Sequence, residues 1–159
     1  MWDLGDSLVP ALVGRLETEL PGAITAINGT VTDGVTLTPP ARVLGFVPPP
    51  ELLTDMPVVG VSLLDTRVED DIGAVAESIH RVGVVAYVAD PDPAVLAVRL
   101  RRWVRAIAVA TLPPERRWGP LFGARLDRVD WGPTLATEEE PRTWVSWAAL
   151  ILEARMGET

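Results

Sequence analysis

The chain has no cysteine, no lysine and a single histidine. Without cysteine there is neither a disulfide framework nor a thiolate metal site. Without lysine there is no Schiff-base chemistry, and one histidine leaves few nucleophile–base schemes open. No G-x-S-x-G elbow, G-x-G-x-x-G fingerprint or Walker loop occurs. No run approaches the roughly 20 apolar residues of a membrane-spanning helix, and the acidic N-terminus lacks the basic-then-apolar order of a secretory signal. The 14 basic residues, all arginine, face 22 acidic ones, for a formal net charge of −8. That balance argues against general nucleic-acid affinity, which needs clustered basic charge to displace counterions. It suits a surface along which DNA slides without sticking, and equally a plainly soluble protein. Arginine without lysine, beside abundant Ala, Val, Gly and Pro, reads as the bias of a GC-rich genome. A bacterial-type cytoplasm is the expected compartment.

What is present is apolar pattern. Of 159 residues 48% are hydrophobic, enough for one α/β domain spanning 1–159 with its own core. Leu8, Leu12, Leu16 and Leu20 recur at helical spacing, predicting an amphipathic helix over Asp6–Leu20, with Asp6 or Ser7 as cap and Pro21-Gly22 as stop. Asn28 to Met56 is punctuated by prolines and glycines, and residues 28–57 read as an extended arm or hairpin loop. Within it, Asp33-Gly34 between Val31-Thr32 and Val35-Thr36 predicts a small hairpin. Ala41–Val47 predicts a short edge strand bounded by prolines that cannot donate to a ladder.

The continuous apolar run Val58–Leu64 predicts a central strand, and acidic Thr66–Gly73 the connection after it. Ser78–Ala89 alternates, with His80, Val82, Val84, Ala86 and Val88 on one face. Asp92-Pro93 is a capping signal for a helix over Pro93–Leu112, whose stripe is Leu96, Leu100, Trp103 and Ile107. Arg101, Arg102 and Arg105 fall on its opposite, solvated face. Two strands follow, Ala124–Trp131 and Arg142–Arg155. The last is apolar on both faces. Val145, Trp147, Ala149 and Ile151 are assigned to the core under the Pro93 helix; Trp144, Ala148, Leu150 and Leu152 need the N-terminal helix or another subunit to cover them. The expected fold is α+β, a mainly antiparallel or mixed four- to five-stranded sheet packed by two helices, with an extended proline-rich arm.

Candidate chemistry is thin. His80 could pair with Ser7, Ser62, Ser78 or Ser146, but a histidine among alternating valines reads first as structural. Acid pairs stand at Asp70-Asp71, Asp90/Asp92 and Glu138-Glu139-Glu140, without the converging oxygens or histidine pair of a metal site. No cofactor is implied. Among the six tryptophans, Trp103 and Trp147 read as core, while Trp2, Trp118, Trp131 and Trp144 are undetermined. Trp144 with Leu150 forms a candidate contact patch, since aromatic residues are enriched at interfaces.

Taken in order, these pieces resemble the tail-terminator and tail-completion (neck) proteins of long-tailed double-stranded DNA bacteriophages. The resemblance rests on the leading helix ending in Leu20-Pro21, the arm running into Met56-Pro57-Val58-Val59-Gly60-Val61, and the strand Gly83–Val88. It continues through the helix carrying Leu100-Arg101-Arg102-Trp103, the segment Arg128-Val129-Asp130-Trp131-Gly132-Pro133, and the final arginine-led strand. It implies a non-enzymatic homo-oligomer, typically a six-fold ring, capping the head-proximal end of the tail tube and docking to the neck. Tail-tube and neck or connector proteins would be its partners, and DNA would pass its lumen without specific binding. The protein would reside in the virion after assembly in the host cytoplasm. Contacts would fall on the arm, at Val35, Leu37, Val43 and Phe46, and on the loop Glu138, Glu139 and Glu140. A head–tail connector or minor tail protein fits nearly as well. The alternatives of another class are a small hydrolase or ligand-binding domain using His80, and a one-to-one regulatory partner module.

Overall fold

The computed structural model describes residues 5–50, 53–69, 77–118 and 122–157. Trp2 and the Asp70-Asp71 pair lie outside them. Two helices, α1 (Leu8–Asn28) and α2 (Pro93–Thr111), accompany seven strands: β1 (Arg42–Leu44), β2 (Val58–Glu69), β3 (Glu77–Asp90), β4 (Arg117–Trp118), β5 (Phe122–Trp131), β6 (Leu135–Ala136) and β7 (Trp144–Gly157). They form one mixed sheet of order β1-β2-β3-β7-β5-β4, with β6 also paired to β7. Only the β1–β2 pairing is parallel. The α+β class holds, but the sheet is larger than four or five strands. The additional strands β4 and β6 are two residues each, too short to leave a period in the sequence.

Helix α1 runs straight through Pro21-Gly22, where a stop was expected. The leucine stripe continues past them as Ala23, Ile24 and Ile27, all buried. An interior proline costs about 3 kcal/mol. Burial of each large aliphatic chain returns roughly 1.5–3 kcal/mol, so the stripe wins. Ser7, at the helix start, has helical backbone angles and does not cap with its side chain. Helix α2 begins as expected: the Asp92 carboxylate accepts from the amides of Ala94 (2.8 Å) and Val95.

Both helices lie on the same face of the sheet. Leu8, Leu12 and Leu16 of α1 and Leu96, Trp103 and Ile107 of α2 share one core with Val82, Val84 and Ala86 of β3 and Ala148, Leu150 and Leu152 of β7. The face assignment of the last strand is therefore reversed. Leu150 and its row face the helices, while Ala149 and Ile151 join a separate cluster with Val85 and Tyr87 on the other face. Alternation fixes which residues share a face, but not which face the helices take.

Strand β2 continues through Asp65, Thr66, Arg67, Val68 and Glu69, residues read as a connection, and pairs with β3 as far as Glu77. It is second from the sheet edge rather than central. Most of its outer half is exposed, which explains the polar sequence. Strand β1 is the edge strand expected in Ala41–Val47, shortened to three residues.

Candidate assembly surface

The segment after α1 lies along the body of the protein instead of reaching away from it. Asn28 closes it first: its side-chain amide donates to the Leu37 carbonyl at 2.9 Å and its oxygen accepts from the Leu37 amide at 2.8 Å. No hairpin forms around Asp33-Gly34. Instead Asp33 accepts from the Val35 amide at 3.0 Å, and Gly34 takes a positive φ of 76°. The Arg102 guanidinium grips both Asp33 oxygens, at 2.6 and 3.0 Å, and also donates to the Val35 carbonyl. Two-residue strands gain too little from pairing with each other to compete with that fork. Arg102, expected on a solvated face, is an anchor, and its hydrogen bond holds the Asp33 carboxyl below the usual carboxylate range. Arg101 and Arg105 remain exposed.

The second half of the segment covers the sheet face away from the helices. Val47, Leu53 and Met56 pack on Val85, Tyr87, Ala149 and Ile151, with Trp147 beside them. The Tyr87 hydroxyl donates to the Pro48 carbonyl at 3.2 Å. Gly60 permits the crossing, because a Cβ there would stand 2.6 Å from the Phe46 carbonyl oxygen. The opposite end of that face carries charge instead. Glu153, nearly buried, accepts from Arg155 at 2.9 Å and Arg125 at 3.3 Å, and Arg81 pairs with Asp65. The Arg155 hydrogen bond, then the two positive charges, holds the Glu153 carboxyl low against the opposing effect of burial. The two-faced apolar strand thus finds both covers inside its own chain.

The residues expected to make contacts divide accordingly. Leu37 and Leu150 are buried within the chain and belong to the core, which corrects their assignment to a partner surface. Val35, Val43 and Trp144 are half-buried, and Trp144 packs against the helix-side core. Phe46 is 59% exposed, and Glu138, Glu139 and Glu140 are exposed between β6 and β7. Sequence reasoning did not single out Leu63, Leu64, Val68 or Leu135, all exposed, and left Trp131 undetermined. Their signal was faint: large apolar residues close to charges, in a stretch read as a connection or at a strand end.

His80 is fully buried. Its Nδ1 lies 2.9 Å from the Thr66 hydroxyl and its Nε2 lies 3.0 Å from the Ser78 hydroxyl, while its ring meets Phe122 edge-on. The Ser78–His80 pair exists, but both side chains are closed to solvent and to any substrate. Among the described residues, no group of three His, Cys, Asp or Glu side chains converges as a metal site, and no helix is long and apolar enough to cross a membrane.

No family model matches the chain, and no curated protein sequence matches it. Solved structures share its fold, among them a chain of the "Virion of native gene transfer agent (GTA) particle", 17% identical with a TM-score of 0.50. The match covers 99% of this chain and 100% of that one. At that identity the likeness is one of architecture.

Proposed function

We propose that this chain is a non-enzymatic structural protein of a phage-like particle. It forms a homo-oligomeric ring, six-fold in the closest reading, that caps the head-proximal end of the tail tube and joins it to the neck. The observation that carries this is the end-to-end likeness of architecture to a chain from a gene transfer agent virion. The same reading comes independently from the resemblance of the sequence to tail-completion proteins. The closed environment of His80 and Ser78 supports the non-enzymatic reading. Net charge of −8 suits a lumen through which DNA passes without adhering. Glu138, Glu139 and Glu140, on an exposed connection, are available to a neighbour. The protein would be carried in the virion after assembly in the host cytoplasm. A head–tail connector or minor tail protein differs in its neighbours.

Native mass measurement, on the protein alone and mixed with tail-tube protein, tests the ring. A multiple of the subunit mass in either sample is expected. A monomer in both would sink the ring. Binding to neck proteins but not to tube protein would move the assignment to a connector.

A further inference from the structure

Seven large apolar side chains stand exposed among the described residues, and six of them lie along the two outer edges of the sheet. Phe46, Leu63, Leu64 and Val68 lie on the β1/β2 side; Trp131 and Leu135, at 52% and 61% exposure, lie on the β5/β6 side. An apolar sheet edge is a template for pairing with another chain.

The two edges are stepped in opposite senses. Strand β1 covers β2 only over Val58–Gly60, so beyond it no described strand flanks Val61–Glu69. Strand β4 covers β5 only over Phe122 and Gly123, leaving the outer side of Arg125–Trp131 open among the described residues. Followed across the sheet, β1 is level with Trp147–Ala149 of β7, and β4 with Arg155 and Met156. Each short strand therefore sits where the opposite edge is bare. Their directions also agree. The alternation of β2, β3, β7 and β5 makes β2 and β5 antiparallel; β1 is parallel to β2 and β4 is antiparallel to β5, so β1 and β4 point the same way.

We propose that copies of this chain join head to tail through these edges, β1 of one copy occupying the strand position that β4 leaves open beside its neighbour's β5. In that arrangement Val43 is level with Trp131 on the helix-side face, through the row Val59, Ala86 and Ala148. On the other face Arg42 comes one side-chain repeat from Asp130, an opposite charge. The middle of β5 carries Arg125, Asp127, Arg128 and Asp130 and an irregularity between Leu126 and Arg128. These are devices that stop indiscriminate pairing, and they leave the Trp131 end as the receptive one. A contact between two different edges closes into a ring or continues as a filament. The inference rests on the ring reading above and supplies its interface.

The absence of cysteine makes the test direct. Neighbouring strands hold opposed Cα atoms about 4.5–5.5 Å apart, within disulfide reach. The double variant Val43→Cys/Trp131→Cys should give a ladder of disulfide-linked multimers on mild oxidation, while the same protein under reduction runs as single chains. A multimeric native mass with no ladder would overturn this edge assignment and leave the ring standing. A monomeric mass with no ladder would overturn both. Trp131→Glu gives an independent check, because that side chain is 52% exposed. Its far-ultraviolet circular dichroism should match wild type, with association weakened by roughly thirtyfold. Wild-type association in that variant would also overturn the assignment.

Discussion

The two faces of β7 carry side chains of similar character, yet they are covered in different ways. On one face, Ala148, Leu150 and Leu152 lie under α2, in a core shared with α1, and the two long helices are packed against each other. On the other, Ala149 and Ile151 meet a proline-rich segment that lies outside the sheet, anchored by the Tyr87–Pro48 hydrogen bond and three apolar side chains. Beyond the reach of that segment the same face changes to charged pairs around Glu153. A strand that is apolar on both sides does not by itself demand a second subunit. An irregular segment can serve as a layer, and where it ends the sequence itself turns polar.

The comparison is sharpened most by neighbouring truncations. Leu150→Ala should cost about 2–5 kcal/mol in urea unfolding, as expected for a cavity that rigid helices cannot close. Ile151→Ala should fall at or below the lower end of that range, because the thin cover can settle or admit water. Equal losses would mean that the segment is as rigid a wall as the helices. Next in size is Gly132→Ala. A Cβ at Gly132 would overlap the Trp147 indole, so the ring must move, at a cost of about 1–3 kcal/mol. Tyr87→Phe should lose about 1 kcal/mol, the net value of one hydrogen bond to the covering segment.

The smallest effect concerns the charged end. Because the Glu153 carboxyl is held below its ordinary value of 4.5, its contribution is complete above that pH and fades as pH falls through the lowered folded-state value. Stability of the wild type should therefore drop more steeply on acidification below about pH 5 than that of Glu153→Gln. Parallel curves would show that the Arg125 and Arg155 contacts contribute nothing to folding.

Much of the helix-side architecture was legible from local pattern. The Asp92 cap, the α2 stripe and the alternation of β3 each depend on neighbours in sequence, and each appears as expected. The failures arose where distant residues decide. Pro21 is carried inside α1 by the burial of Ile24 and Ile27, and Asp33 exchanges a hairpin for Arg102, 69 residues away. The outer half of β2 looked like a loop because it is rich in charged and polar residues, most of them exposed to water. Of the candidate assembly surface, Phe46 and the glutamate loop are exposed positions. The apolar edges were not legible, since an edge is defined by which strands are missing beside it.

The position of β7 has a consequence for how the chain is made. It is the last strand in chain order, yet it lies between β3 and β5 in the sheet. Without it, no strand pairing joins the set β1, β2 and β3 to the set β4 and β5. Such long-range pairing is intrinsically slow and leaves strand edges open meanwhile. Completion of the sheet therefore waits for β7. A chain shortened before Trp144 would leave the Trp103 row of α2 without much of the floor on which it rests.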